Sequence, residues 1–186
     1  MKLETSDIED YLQNHEKLRK IYISARKNIT EQLYELGELE KTIYLPMRCT
    51  SDGSQKFYTS DKIGNIVTSN EAEKLRRERD ALTQQLKVYD DKIAMLNRVV
   101  NAFNSLAFIF PHHFDILNRL WMNREKVASA RSEIGLGMTT INNMRLDFVK
   151  VITCIVNSDL RINDISDIEK IRKVVNDDEL INNMRR

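Results

Sequence analysis

The spacing of apolar residues between Leu75 and Phe103 limits what this chain can fold into more than any other feature. Leu75, Leu82, Leu86, Tyr89, Ile93, Leu96, Val100 and Phe103 are separated by 7, 4, 3, 4, 3, 4 and 3 residues. Steps that alternate between three and four keep one narrow stripe of a helix turned toward a partner, which is the heptad pattern of a coiled coil. Arg79 is the one polar residue of this seam. A helix with so narrow a stripe cannot bury it alone. Its partner is either the first helix, folded back as an antiparallel hairpin, or the same helix of a second subunit, and a homodimer through the coiled coil is the expected assembly.

The rest of the chain suits this element. Five glycines and two prolines in 186 residues, of which 31% are charged, predict a mostly helical protein. The expected class is all-α, with long coiled-coil helices followed by a C-terminal helix-turn-helix domain. Residues 1–45 form an N-terminal helical segment that opens on Ser6-Asp7-Ile8-Glu9, a serine followed by glutamate at the spacing of a capping box. Behind it Leu18, Tyr22, Ala25, Ile29, Leu36, Leu39 and Ile43 share one face of a long helix, or of two helices broken near Gly37. Residues 46–70 read as a flexible connector, because Pro46, Asp52-Gly53 and Gly64 break helical periodicity; Lys56–Tyr58 and Ile63–Val67 are a weak hairpin pair within it. Helix is expected to resume at Thr68 to Glu71, a second capping box, and the coiled-coil helix covers 71–108.

From 109 to 156 the pattern changes from a seam to a globular core. Pro111 suits a first helical turn, and Phe114, Leu117, Leu120 and Trp121 form an apolar face. A short helix fits Glu125–Ile134 with Val127, Ala130 and Ile134 inward, and a third runs from about Thr139 to Val156 with Ile141, Met144, Phe148, Ile152 and Ile155 inward. The tail, 157–186, carries a second S-D-I-E at Ser166–Glu169 and is expected to form one amphipathic helix with a frayed end.

Between the last two helices of the globular region stands E-I-G-L-G-M-T-T-I-N-N-M-R, residues 133–145, with two of the chain's five glycines. Two short helices joined by a tight glycine turn form a helix-turn-helix arrangement. Gly135 can take the left-handed conformation that ends a helix, and Thr139 can cap the helix that follows. The outward face is then Thr139, Thr140, Asn142, Asn143 and Arg145. An ordinary solvated face would be rich in Glu and Lys, whereas Asn pairs with adenine in the major groove and Arg reaches phosphate or guanine. Net charge is +1 overall, yet residues 98–156 hold seven basic and four acidic residues. Arg124, Lys126, Arg131 and Lys150 are the accompanying cations. The implied partner is double-stranded DNA.

The order of long helix, connector with S-D-K-I-G, coiled-coil helix, F-D-I-L-N-R-L-W and A-R-S-E-I-G-L-G-M-T-T-I resembles phage late-gene transcription regulators of the ArpU and RinA type. Their C-terminal part is similar to region four of bacterial sigma factors. The resemblance covers about residues 61 to 155. Arg119-Leu120-Trp121 matches the R-x-aromatic that ends the helix before the motif, and Ala130 to Ile141 matches the motif itself. Arg131 departs from it, standing where a small alanine is usual at the helix crossing, and Met138 lies near the usual serine cap. The resemblance implies control of late-gene transcription at a phage promoter or operator, in the cytoplasm of a bacterial host, with RNA polymerase as a possible further partner.

Other chemistries find little support. The longest apolar run, Leu106–Pro111, is too short to span a membrane, and the acidic start is unlike a signal peptide. Cys49 and Cys154 are far apart and are expected to be reduced thiols. His112-His113 beside Asp115 lacks a ligand at i+4, so no metal site is expected and a helix-start or phosphate-contact role is preferred. No catalytic set or phosphate-binding glycine loop is present, and neither enzyme activity nor a cofactor is expected. Two alternatives remain open: a packaging or scaffolding protein like a small terminase subunit, and a helical protein-interaction module that does not bind DNA.

Overall fold

The computed structural model describes residues 2–44 and 62–185, which are helical with no strand among them. The helices are α1 (Thr5–Tyr44), α2 (Lys62–Ser105), α3 (Pro111–Leu117), α4 (Val127–Ile134), α5 (Met138–Asn157), α6 (Ile168–Val175) and α7 (Asp178–Arg185). Cys49 and most of the expected connector lie outside the described residues. The chain divides into two compact units, residues 21–92 and residues 1–20 with 93–186.

In the first of these units α1 and α2 pair antiparallel. The Tyr22 and Tyr89 rings lie 6.3 Å apart, and Arg26 Nε donates to Asp90 Oδ1 at 2.6 Å. Arg79 Nη1 donates to Glu40 Oε2 at 3.0 Å, so contact positions rise along α1 as they fall along α2. The seam residues Leu75, Leu82, Leu86 and Tyr89 are half-buried, and Ile29 and Leu36 of α1 are buried. The pairing of α1 with α2 thus covers the stripe in part. Leu39 is 52% exposed, and the α1 stripe passes instead through half-buried Leu33 and Glu40. Exposed ion pairs of this kind contribute about 0–1 kcal/mol each, so the apolar stripe supplies the stability and the charges favour one register.

Helix α2 starts earlier than its expected cap. Ile63–Val67 is helical rather than a strand, and Thr68–Glu71 lies inside the helix. Ile63, Ile66 and Val67 are spaced at helical steps of three and four, and Gly64 within a helix costs only about 1 kcal/mol.

The second unit is a globular bundle with Phe103 at its centre. That ring lies 4.8 Å from Phe114, 5.8 Å from Trp121 and 5.7 Å from Phe148. Phe103 was expected in the seam, but Val99, Ala102 and Leu106 are buried beside it and the apolar stripe is wider than a seam. Leu96 is buried too, while Ile93 and Val100 are half-buried. A straight α-helix drifts about 20° per heptad, so a seam kept at one end of a long helix turns toward a different neighbour at the other.

The start of the chain belongs to this core. Leu3, Ile8 and Leu12 are buried with Val149, Ile152 and Ile155 of α5 in one cluster. The Asn157 amide holds the Leu3 backbone from both sides: the Leu3 N–H donates to Oδ1 and Nδ2 donates to the Leu3 carbonyl, each at 2.9 Å. The tail belongs to it as well. Asn176, in the left-handed conformation at φ 53°, ends α6, and Asp177 Oδ1 accepts from the Leu180 amide at 3.0 Å to start α7. Leu180, Ile181 and Met184 are buried, so a second helix replaces the expected frayed end.

Both S-D-I-E segments are capped through their aspartate. Asp7 accepts from the Glu4 amide at 2.9 Å, and Asp167 accepts from the Asn163 amide at 2.7 Å. The expected Ser6–Glu9 box does not form, since α1 already begins at Thr5 and Glu9 is engaged elsewhere. Asp167 is buried and its carboxyl lies below its usual range, held there first by the Asn163 amide and then by Lys170. A carboxylate whose folded-state pKa is depressed contributes stability above its unfolded pKa and loses it as pH falls through the folded value. Thermal unfolding followed from pH 6 downward should therefore show an acid loss below about pH 4 that is smaller in Asp167→Asn. Equal slopes for the two proteins would remove Asp167 from the account.

Candidate nucleic-acid interface

Helix α3 runs into a π-helical turn, Asn118–Met122, that ends where the Asn123 amide donates to the Asn118 carbonyl at 3.0 Å. Arg124 follows at φ 53°, a left-handed residue that turns the chain into α4. Arg119 fixes this corner. Its Nε and Nη2 donate to the Glu125 carboxylate at 2.7 and 3.0 Å, and Nη2 also pairs with Glu133 of α4. These hydrogen bonds, that to Glu125 foremost, raise the guanidinium pKa further. Arg119 and Trp121, which match the R-x-aromatic of the resemblance, are thus structural: one clasps α4 and the other is buried against Phe103.

Helix α4 ends at Gly135, whose φ of 74° is the left-handed conformation that glycine adopts without strain. Gly137 is the N-cap of α5 in an extended conformation open to other residues, and no side chain caps the helix. Thr139 therefore lies inside the helix, at its second position, and does not cap it. The first turn thus has no side-chain cap, and at Gly135 and Gly137 an added Cβ would meet nothing closer than Thr140 Oγ1 at 3.8 Å. A shallow groove lined by Ala128, Arg131, Ser132 and the three turn residues runs alongside. An uncapped helix start next to small residues suits an approaching phosphate.

The sequence placed nine residues at this interface. Thr139, Thr140, Asn142 and Asn143 are all exposed on the first two turns of α5, while Ile141 and Met144 are buried behind them. Lys126 and Arg131 are exposed, and Lys150 lies 4.0 Å from Asp147. Arg124 is exposed, 3.9 Å from Glu16. Ala130 is the wholly buried small residue of α4. Arg131, the next residue, is exposed. Arg145 differs from the expectation. It is half-buried, pairs with Glu9 of α1 and has a buried Nε without a partner. Its position one turn from Ile141 leans it toward the core side of α5, where the first turns of α1 supply the carboxylate.

Sequence reasoning also missed two members of the exposed face. Met138 is 47% and Leu146 is 59% exposed, both in line with Asn142 at helical steps of four. His113 is buried and its pKa is lowered by that burial and then by His112, so it does not face a phosphate. The two imidazoles stand 6.1 Å apart and nearly perpendicular. Cys154 is a free, half-buried thiol whose pKa burial raises. Among the described residues no cluster suited to a metal ion occurs, and no helix is long and apolar enough to cross a membrane.

Scans of family models, of curated proteins and of solved structures return no match to this chain.

Proposed function

We propose that the chain is a sequence-specific DNA-binding transcriptional regulator of a phage or prophage, acting on late genes, with α5 as its reading helix. The observation that carries this is the exposed, uncharged hydrogen-bonding face of Thr139, Thr140, Asn142 and Asn143 at the start of α5, next to an uncapped helix end. Arg124, Lys126, Arg131 and Lys150 supply cations around it for phosphate contacts. The resemblance to late-gene regulators supports the regulatory role and makes RNA polymerase the implied protein partner. The α1–α2 hairpin serves as a brace in this reading, with self-association as its second role.

Fluorescence anisotropy with phage promoter fragments and random duplexes is the direct test. Asn142→Ala and Asn143→Ala remove no buried contact, so the fold should persist. Specific binding should weaken by about 1–3 kcal/mol for whichever residue makes a bidentate base contact. Arg131→Ala or Lys150→Ala should weaken all duplexes alike and lower the salt slope by about one. Light scattering on the same samples tests the homodimer. Exposed Met138 and Leu146 favour one rival, a helical protein-interaction module, and the absence of binding to any duplex would make that rival the better account.

A further inference from the structure

We infer that the exposed face of α5 selects A·T base pairs, with asparagine side chains on adenine and the apolar pair Met138 and Leu146 on thymine methyl groups. This rests on the DNA-reading role proposed for α5 and goes beyond it by naming what is read.

The argument is one of side-chain chemistry. Each base pair shows a different edge in the major groove. Guanine offers two acceptors, read by Arg or Lys, and cytosine offers a donor, read by Asp or Glu. Adenine offers a donor beside an acceptor, which the amide of Asn matches with both of its groups, and thymine adds a methyl group that takes an apolar contact.

The first three turns of α5 present Met138, Thr139, Asn142, Asn143 and Leu146 to solvent, and not one of them is charged. The one guanidinium on α5 itself, Arg145, is paired with Glu9. The next cation along the helix is Lys150, a full turn beyond Leu146 and beside Asp147. The face thus holds two adenine-matching amides and two exposed apolar side chains, and the charged residues beside it on α5 are already engaged, Arg145 with Glu9 and Asp147 with Lys150.

Spacing agrees with this assignment. Met138, Asn142 and Leu146 lie four residues apart on one line, a rise of about 6 Å per step at about 1.5 Å per residue. That is close to two base-pair steps of about 3.4 Å. An amide on one pair and a leucine on a methyl group two pairs away is therefore within reach of a single helix. The exposure of Leu146 is also accounted for, since its apolar surface leaves water only in the complex.

The test is selection of the full chain against a randomised duplex library, followed by single-atom changes in the selected duplex. Three or more neighbouring A·T pairs should be enriched. Replacing a contacted thymine by uracil removes only the methyl group and should weaken binding about fourfold, the loss of one buried carbon. Replacing the contacted adenine by 7-deazaadenine removes the N7 acceptor and should weaken it by about tenfold. In Met138→Ala/Leu146→Ala, whose side chains are exposed, the difference between thymine and uracil should vanish while the 7-deazaadenine effect persists. Enrichment of G·C pairs, or equal binding to thymine and uracil duplexes by the parent, would overturn the inference and leave DNA reading by α5 intact. Failure to enrich any sequence would overturn the DNA-reading proposal itself.

Discussion

Ile8→Ala combined with Leu12→Ala is expected to abolish cooperative unfolding of the unit that carries α5, although both residues lie at the opposite end of the sequence. Each is wholly buried in the same cluster as Val149, Ile152 and Ile155. Truncating a buried Ile or Leu to Ala costs about 2–5 kcal/mol, and a domain of this size is stable by only about 5–15 kcal/mol. Two such losses in one cluster therefore remove most or all of the margin, even without strict additivity. Chemical denaturation followed by circular dichroism checks this. A variant that unfolds cooperatively within about 1 kcal/mol of the parent would show that residues 1–20 are not part of the core. Asn157→Ala should act in the same direction but less strongly, since it removes two hydrogen bonds to the Leu3 backbone and no apolar packing.

Why the sequence concealed this role of the N-terminus is a matter of which signals are local. The heptad steps from Leu75 to Tyr89 announce that a helix has an apolar stripe, because period and burial are both written along one segment. They do not say where the stripe ends, since Val99, Ala102 and Leu106 widen it through residues that a seam pattern ignores. Ile8 and Leu12 likewise read as an ordinary helical pair, and nothing beside them in sequence shows that α5 covers them. The partner of a buried residue is long-range information that no spacing encodes.

Turn chemistry was more legible. Gly135 does adopt the left-handed conformation, and the inward set of Ile141, Met144, Phe148, Ile152 and Ile155 is buried throughout. Those positions follow from local sterics and helical period alone. The caps were legible only in kind. In both S-D-I-E segments the serine and glutamate suggested a box, but the aspartate, two residues closer to the helix start than the glutamate, reached back first. Arg145 failed for the reason the N-terminus did: its carboxylate partner, Glu9, is distant in sequence. Asn142 and Asn143 needed no partner to be placed, since exposure opposite a buried stripe is fixed by the helix itself.

Phe103→Ala should be strongly destabilising, at about 3–5 kcal/mol for an aromatic truncated in a core. Its ring touches three other aromatic rings, those of Phe114, Trp121 and Phe148, and so joins α2, α3, the π-helical turn and α5. Edge-on and tilted pairs of this kind contribute about 0.5–1.5 kcal/mol each beyond the area they bury. The resulting cavity would also sit next to Trp121, which is the chain's single tryptophan and is 2% exposed. Its fluorescence is therefore a local reporter of the site. Phe103→Ala is expected to shift the emission to the red and to lower the denaturation midpoint, with Phe103→Leu intermediate because it refills much of the volume. Leu82→Ala, in the half-buried stripe of the hairpin, should leave that emission unchanged. If Phe103 were a seam residue like Leu82, the two alanine variants would behave alike in both measurements. An unshifted emission with Phe103→Ala would thus return Phe103 to the seam and leave the bundle without its centre.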